Sequence, residues 1–299
     1  MAFGQALLAT GAMVRRLQVD GAQLDGIHYL RALGNADALR RDAQDAERIV
    51  IVGGSYIATE VAASLTAMGH DCTMVMKERL PLERTFGERI GRLVAGELAA
   101  RGVDILGAQD VTRFEGDERV HAIVTASGRR IAADLVVVGV GAIADASLAR
   151  RAGLRLGDSG GVACDAALRT SAPAVFAAGD VCEFDSALHG RPVRIEHEEV
   201  AAAQGRLAAR NLLDGGDEPF RDVPYFWSDL ADWLSLEYVG LGGAWDDEAL
   251  EAYQDARRFA LRYTRGGRLV GVCSIGGAAD LDRARAELAA GAVAERAAA

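Results

Sequence analysis

The stretch IVIVGGSYIATEVAASLTAMGH at residues 49–70 constrains the fold more than any other part of the chain. Its first four residues are apolar and predict a buried strand, the next two are glycines, and the alanine-rich remainder predicts a helix. A strand, a glycine turn and a helix in this order can hold a dinucleotide, because the amides at the helix N-terminus face the phosphate groups. We therefore predict an α/β fold in which this unit belongs to a doubly wound sheet.

The three glycine positions of such a loop are occupied here by Gly53, Ser55 and Ala58. The first glycine makes the tight turn, the second lets the backbone approach the pyrophosphate, and the third allows close packing of helix against strand. Gly53 and Ala58 suit their positions. Ser55 carries a Cβ where bare backbone is preferred, but its hydroxyl could donate a hydrogen bond to a phosphate oxygen. A glycine turn with a purely structural purpose stays open as the alternative.

An acidic residue is expected about 20 residues after the glycines, where it would bind the ribose hydroxyls. The segment CTMVMKERL places Met76 near this point, followed by Lys77 and Glu78. Lys77 favours NADPH because its ammonium could meet a 2′-phosphate, whereas Glu78 could serve the ribose if the loop differs by two residues. The choice between NADH and NADPH stays open, and solvated surface charge is a further interpretation of both side chains.

Composition limits the classes of protein to which the chain can belong. Its 299 residues, half of them hydrophobic, suffice for two or three domains with a sizeable core. A net charge of −10 argues against a general nucleic-acid-binding protein. No apolar run approaches the roughly 20 residues that span a bilayer, and residues 1–12 lack a basic n-region. We therefore expect a cytoplasmic protein with neither a nucleic-acid nor a membrane partner.

The four cysteines are widely separated: Cys72, Cys164, Cys182 and Cys273. This spacing predicts neither a disulfide framework nor a zinc site. We expect all of them to be small buried apolar residues, which is the usual environment of free cysteine.

Further motifs follow one another along the chain: LLATGA (7–12), IVGGSYIATEVAA (51–63), VVVGVGAIAD (136–145), TSAPAVFAAGDV (170–181), RIEHEEVAAAQGRLAARNLL (194–213) and VPYFWSD (223–229). In this order they resemble the flavin-dependent pyridine nucleotide reductases, most closely the ferredoxin reductase branch. The resemblance covers nearly the whole chain. It implies an FAD-dependent NAD(P)H oxidoreductase that passes electrons to a ferredoxin-like iron–sulfur protein.

The same resemblance implies a domain organisation in which a Rossmann-like NAD(P)-binding domain is inserted in an FAD-binding domain. Residues 1–17 would belong to the FAD-binding domain, 18–47 to a linker with a short helix, and 48–142 to the NAD(P)-binding domain. Residues 143–220 would return to the FAD-binding domain. Residues 221–299, which contain all three tryptophans, would form a small α+β C-terminal reductase domain.

For the NAD(P) site, the resemblance implies a phosphate loop of five consecutive residues: Gly53, Gly54, Ser55, Tyr56 and Ile57. Glu60 would point toward the nicotinamide, and Gly141 and Ala142 would close the site. The family's usual proline two positions later is Ala144 here.

For the FAD site, the resemblance implies that the turn between domain and linker consists of Ala9, Thr10 and Gly11. Arg15 would lie beside FAD, and Asp180, which follows Gly179 at a strand end, would hold the ribityl chain. Glu198 replaces the aromatic residue of the family's Glu-His-Trp motif, and Trp227 would flank the isoalloxazine. We assign no catalytic residue, because hydride transfer to flavin requires positioning more than proton transfer.

The family normally begins with an FAD-binding strand–GxGxxG–helix unit well before LLATGA, whereas this chain reaches that motif at residue 7. A misassigned start, a reductase split over two chains and a decayed fragment are the open explanations. We expect the isolated chain to hold FAD weakly or not at all, and to leave an apolar face uncovered beside the strand that ends at Asp180. A non-catalytic nucleotide-binding fragment, or a subunit of a split reductase, is accordingly the alternative function.

Overall fold

The structure of the protein is a computed structural model that describes residues 3–242 and 245–298. Numbered along the chain, its strands are β1 (Ala6–Leu8), β2 (Ala12–Val14), β3 (Ile27–His28), β4 (Ile49–Val52), β5 (Cys72–Val75), β6 (Asp104–Leu106), β7 (Val111–Gly116), β8 (Val120–Thr125), β9 (Arg130–Ala132), β10 (Leu135–Val138), β11 (Ala142–Ala144), β12 (Val162–Cys164), β13 (Val175–Ala177), β14 (Cys182–Ser186), β15 (Arg191–Arg194), β16 (Tyr225–Leu230), β17 (Leu234–Gly240), β18 (Asp247–Asp255), β19 (Arg258–Arg265) and β20 (Arg268–Ile275). Its helices are α1 (Leu33–Ala43), α2 (Tyr56–Ala67), α3 (Glu83–Ala99), α4 (Ser147–Arg151), α5 (Glu198–Asp214) and α6 (Leu281–Ala298), and a 3₁₀ turn covers Gly179–Val181.

The chain divides into two compact units, each assembled from separate segments. The first unit consists of residues 1–13, 143–227 and 236–299, and the second unit consists of residues 14–142 and 228–235. The finer division into an FAD-binding domain, a linker, an NAD(P)-binding domain and a C-terminal domain stays a prediction.

The second unit is built on a parallel sheet with the strand order β3, β10, β4, β5, β6. All four residues of β4 are buried, as are all four of β10, which is typical of central strands covered on both faces. Helix α2 packs against β4 and β5, and β7, β8 and β9 form an antiparallel sheet beside them. The doubly wound parallel arrangement predicted from residues 49–70 is confirmed.

In the first unit, β1 and β13 form a parallel pair, while β12, β14 and β15 form a second small sheet. Helix α5 covers β13 and the 3₁₀ turn with its apolar face. The core of this part is formed by side chains of the strands and of α5, among them Phe176, Phe184 and Leu207.

A five-stranded sheet with the order β16, β17, β20, β19, β18 follows α5. Strands β17 to β20 pair in antiparallel fashion, and α6 packs against β20. Tyr238 and Tyr263 are almost fully buried in it, with ring centroids 6.1 Å apart. The antiparallel C-terminal sheet agrees with the α+β domain that the sequence predicts.

Two further expectations concern the cysteines and the lipid bilayer. All four cysteines are free and buried, as predicted. Burial raises the pKa of the Cys273 thiol far above its ordinary value, so this residue is an inert part of the core. In the part of the chain that the structure describes, no helix is both long and apolar enough to cross a bilayer.

Candidate functional site

The carboxyl ends of three parallel strands meet at one edge of the second unit's sheet. Val52, Val75 and Val138 are partners in register, so β4, β5 and β10 end at the same level. The glycine loop, the segment 76–78 and the segment 139–141 follow these ends directly. Ligands of α/β sheets bind beyond the carboxyl ends of the strands, so this edge is the candidate site of the second unit.

Gly53 occupies a position that admits no side chain. Its φ of +127° lies in a region that favours glycine, and an added Cβ would lie 2.2 Å from the carbonyl oxygen of Gly139. Its own amide donates to the carbonyl of Val75 at 2.9 Å. The tight turn predicted for the first glycine position is therefore present.

Ser55 preserves the loop despite its side chain. Its φ of −96° is ordinary for any residue, and its hydroxyl donates to the Gly139 carbonyl at 3.3 Å. Within the described residues, the Ser55 hydroxyl makes no capping hydrogen bond to α2. It therefore leaves the amides at the helix N-terminus accessible to a ligand. Ala58 packs closely against Gly139, where an added Cβ would lie 3.1 Å from the Ala58 nitrogen. The backbone thus fits a pyrophosphate at the positive end of the helix dipole.

A small cavity of about 60 Å³ adjoins this loop. It is lined by three loop residues and by the segment after β5: Gly54, Ser55, Tyr56, Glu78, Leu82, Glu83, Arg84 and Thr85. A hydrogen bond connects the segment after β5 to the glycine loop: the Leu82 amide donates to the Gly54 carbonyl at 2.7 Å. Leu82 has a left-handed φ of 59°, an unfavourable conformation for leucine that the surrounding contacts maintain. Tyr56 also packs its ring edgewise against Phe86, and the side chain of Ile57 is exposed.

The two charged residues after β5 have different surroundings. The Lys77 ammonium lies 2.9 Å from a carboxylate oxygen of Asp110, and both side chains are largely exposed. Glu78, by contrast, lines the cavity beside the phosphate loop. The acidic side chain is therefore better placed toward a ligand of the loop than the lysine.

Glu60 lies on α2, one helical turn beyond the start of the helix. Burial raises the pKa of this carboxyl, a hydrogen bond from Ser228 opposes the rise, and the charge of Asp229 adds to it. The Ser228 hydroxyl donates to Oε1 of Glu60 at 2.5 Å.

Arg15, Gly141 and Ala142, which the resemblance assigns to cofactor sites, lie together. The Arg15 amide donates to the Gly141 carbonyl at 3.0 Å, and its guanidinium donates to the Ala142 carbonyl at 3.4 Å. Gly141 has a φ of +100°, which again favours glycine. Arg15 therefore stabilises the segment that follows β10.

A second candidate site lies in the first unit, where β1 and β13 end together. Leu8 and Ala177 are partners in register, so residues 9–11 and 178–180 continue from the same edge of the pair. The Thr10 hydroxyl donates to the Asp145 carbonyl at 2.6 Å. The turn that carries Asp180 thus follows a parallel strand, as expected for a carboxylate that binds a ligand at a sheet edge.

Two side chains that the sequence did not single out hold this turn. The Gly179 amide donates to Oε1 of Gln204 at 2.8 Å, and Gln204 is only 1% exposed. The Arg194 guanidinium donates to the Asp180 carbonyl at 3.0 Å. Both residues lie within a motif that carries the resemblance, but only the folded chain shows which backbone groups they contact. A glutamine of α5 and the arginine at the end of β15 therefore hold the backbone of the Gly-Asp turn in place at the end of β13.

The aromatic residues assigned near the flavin have distinct environments. His197, at the N-terminus of α5, lies 4.6 Å from the Phe226 ring, centroid to centroid. Burial lowers the pKa of His197 to about 4, so its imidazole is neutral at physiological pH. Its buried Nδ1 has no hydrogen-bond partner within the described residues. Glu198 is exposed, and the side chain of Trp227 is 46% exposed in a cavity of about 510 Å³ that Tyr225 also lines.

The two candidate sites belong to an α/β protein with a glycine loop at the strand ends of one unit and a Gly-Asp turn at a strand end of the other. The family described as pyridine nucleotide-disulphide oxidoreductase matches residues 1–205, and the domain described as reductase C-terminal matches residues 225–299. The chain belongs to this oxidoreductase family and ends in a reductase C-terminal domain.

Individual relatives point to the ferredoxin reductase branch. Apoptosis-inducing factor 3 from Homo sapiens is 31% identical over 91% of this chain and 45% of that protein. The ferredoxin–NAD(+) reductase component of the anthranilate 1,2-dioxygenase system of Burkholderia cepacia is 33% identical. That match covers 97% of this chain and 71% of the relative. The solved complex of putidaredoxin reductase with putidaredoxin matches with a TM-score of 0.88 and 29% identity, over 96% of this chain and 69% of that one. The predicted resemblance is confirmed, and the chain spans less than half the length of the human relative.

Proposed function

We propose that this chain is an FAD-dependent NAD(P)H oxidoreductase that passes electrons to a ferredoxin-like iron–sulfur protein. The observation that carries the proposal is a pair of strand-end sites: the glycine loop at the ends of β4, β5 and β10, and the Gly-Asp turn at the end of β13. Proteins of this family use FAD and NAD(P)H. FAD bound at the Gly-Asp turn would supply the chemistry of hydride acceptance and single-electron transfer.

The proposed role of the protein's own side chains and amides is to bind and orient the two cofactors. The Gly53 turn and the amides of α2 would hold the pyrophosphate of NAD(P), and the Glu60 carboxylate would accept a hydrogen bond at the nicotinamide end. The Asp180 carboxylate would accept hydrogen bonds from the ribityl hydroxyls of FAD. His197 has no part in proton transfer in this proposal, because its imidazole is neutral and remains so down to about pH 4.

The proposed partner follows from the names of relatives, which include a ferredoxin–NAD(+) reductase component and a reductase in complex with putidaredoxin. Ferredoxins are acidic, so docking requires a locally basic surface on this acidic chain. Residues 77–92 contain five basic and three acidic side chains, which makes them the candidate docking segment. Within it, Arg79 pairs with Glu83 and Arg92 with Glu88, so part of the positive charge is already neutralised.

Titration of the purified chain with NADH, with and without added FAD, tests the proposal. We expect NADH to bind with a dissociation constant of about 1 µM to 1 mM, the range in which the KM values of enzymes usually fall. NADH oxidation with an artificial one-electron acceptor should then depend on added FAD. Binding without FAD-dependent oxidation would support the non-catalytic alternative, and the absence of any NADH binding would contradict both.

We further propose that the chain prefers NADH to NADPH. Glu78 lines the cavity at the loop, where its carboxylate would bind the ribose hydroxyls and repel a 2′-phosphate. Glu78→Gln should reduce the ratio of NADH to NADPH affinity by about tenfold, which corresponds to roughly 1.4 kcal/mol. Lys77→Gln is the matched control and should leave the ratio within about twofold, because Lys77 pairs with Asp110. Titration of the three proteins with both nucleotides measures the ratios, and a larger effect of Lys77→Gln would reverse the assignment.

A cytoplasmic location is also part of the proposal. It is supported by the four cysteines, which are free and therefore compatible with a reducing compartment.

A further inference from the structure

Residues 228–235, at the start of the C-terminal sheet, belong to the second unit, which carries the glycine loop. Within this segment the chain turns from β16 into β17, and Leu230 and Leu234 are buried. The ring of Trp233 lies under the guanidinium of Arg101, 4.5 Å from carbon Cζ to the ring centroid. These contacts hold residues 228–235 against the second unit. Ser228 is the first residue of this segment.

Ser228 is 1% exposed, and its hydroxyl donates to Oε1 of Glu60 at 2.5 Å. The two residues are 168 positions apart, so this contact depends on the fold and not on local sequence. Among the described residues, Ser228 is the only hydrogen-bond partner of the Glu60 carboxylate, and no cation pairs with it. One carboxylate oxygen is thus fixed by a neutral donor, and the other is left to accept a hydrogen bond from a ligand.

Glu60 stands one helical turn beyond Tyr56, the first residue of α2 after the phosphate loop. A dinucleotide whose pyrophosphate lies on this loop extends away from it in two directions, one toward each base. We propose that Ser228 is a positioning residue for the nicotinamide end: it holds the Glu60 carboxylate so that the free oxygen accepts an N–H of the nicotinamide carboxamide. This inference rests on the proposed binding of NAD(P)H at this loop.

The test compares two ligands that share every group except the nicotinamide. NADH carries the nicotinamide, and ADP-ribose carries the adenosine, the pyrophosphate and the second ribose without it. In the full chain, Ser228→Ala should weaken NADH binding by about tenfold, the effect expected when one hydrogen bond to a charged group loses its geometry. ADP-ribose binding should stay within about twofold of the wild-type value, because the phosphate loop is untouched.

Two variants serve as controls. Ser228→Thr keeps the hydroxyl and should restore most of the NADH affinity. Ser235→Ala changes an exposed serine of the same segment and should alter neither ligand's affinity. Equal weakening of NADH and ADP-ribose by Ser228→Ala, or no weakening at all, would overturn the inference. If the wild-type chain binds ADP-ribose but not NADH, Glu60 and Ser228 have no nicotinamide to position; if it binds neither, the proposed function itself fails.

The pH dependence of binding gives a second readout that a merely structural role would not change. Burial and the charge of Asp229 raise the pKa of Glu60, and the bond from Ser228 is the contribution that lowers it. Without that bond the pKa rises further, so Glu60 is protonated at higher pH. In Ser228→Ala the loss of NADH affinity on acidification should therefore begin at higher pH than in the wild type. Glu60→Gln should remove this pH dependence, and an unshifted profile in Ser228→Ala would contradict the inference.

Discussion

Gly53→Ala is expected to lower NADH affinity by about 100-fold or more, which corresponds to roughly 2.7 kcal/mol. The methyl group would lie 2.2 Å from the Gly139 carbonyl oxygen, and this oxygen belongs to backbone that cannot rotate away. The φ of +127° adds a conformational cost of about 1–3 kcal/mol for any residue with a Cβ. The loop would have to move to relieve the steric overlap and the backbone strain. This loop is the surface on which the pyrophosphate would lie, so the movement weakens binding.

The neighbouring glycine supplies a matched control for this prediction. The three heavy atoms nearest to a Cβ at Gly54 all belong to the Met76 side chain: its sulfur at 2.8 Å, its Cβ at 3.3 Å and its Cγ at 3.4 Å. Gly54→Ala should therefore change NADH affinity by less than about threefold, because methionine adapts its conformation readily. NADH titration and thermal unfolding of both variants provide the measurement. Equal losses in the two variants would show that the loop is merely crowded and that the Gly53 turn has no special part in binding.

The sequence predicts the positions of secondary structure and of the phosphate loop because these depend on local patterns. The run of four apolar residues in β4, the glycines after it and the alanine-rich α2 are all recognisable within one window of the chain. Ser55 carries a Cβ where bare backbone is preferred, and a sequence shows neither its φ nor the partner of its hydroxyl. At −96° this residue keeps a backbone that needs no glycine, and its hydroxyl turns to the Gly139 carbonyl.

The charged residues after β5 show a second limit of sequence reasoning. The residue that reaches a ligand depends on where the strand ends, and a shift of one position exchanges Lys77 for Glu78. In the structure β5 ends at Val75, Lys77 pairs with Asp110, and Glu78 lines the cavity. Charge alone could not distinguish these environments.

Ser228, Gln204 and Arg194 were not predicted because their importance depends on contacts between distant parts of the chain. Ser228 reaches Glu60 across 168 residues, and Gln204 reaches the Gly179 amide across 25. Nothing in the spacing of a serine or a glutamine indicates which backbone or side-chain group it will meet. Sequence motifs therefore identify the residues expected to touch the cofactor, whereas the residues that hold these in place need the fold.

Gln204→Glu is expected to produce the largest stability change, and the change should depend on pH. The side chain is 1% exposed and lies on α5 among apolar neighbours, including Val200 and Leu207, so an ionised carboxylate there would be strongly disfavoured. Burial of this kind raises the pKa of a glutamic acid, by up to about 3–5 units in fully buried positions. Each unit corresponds to about 1.4 kcal/mol of stability.

The sign of the pH dependence follows from comparison of the folded and unfolded states. The unfolded chain ionises this carboxyl near pH 4.3, whereas the folded chain would keep it neutral to higher pH. Relative to wild type, the variant's free energy of unfolding is therefore highest below about pH 4.3. It falls by up to about 1.4 kcal/mol per pH unit until the pH passes the raised pKa of the folded state. Urea unfolding between pH 6 and 8.5, above the isoelectric point near 5.1, should record this decline.

Gln204→Leu distinguishes the effect of losing the hydrogen-bond acceptor from the effect of burying a charge. It leaves the Gly179 amide without its acceptor and should cost about 1–3 kcal/mol at every pH. Hydrogen exchange at the Gly179 amide should accelerate in this variant, because this amide loses its acceptor while the bond from Arg194 to the Asp180 carbonyl remains. If Gln204→Glu and Gln204→Leu show parallel, pH-independent losses, the side chain is not buried against this amide. The declining profile, together with faster exchange at Gly179, would show that α5 holds the turn on which the proposed flavin-binding carboxylate depends.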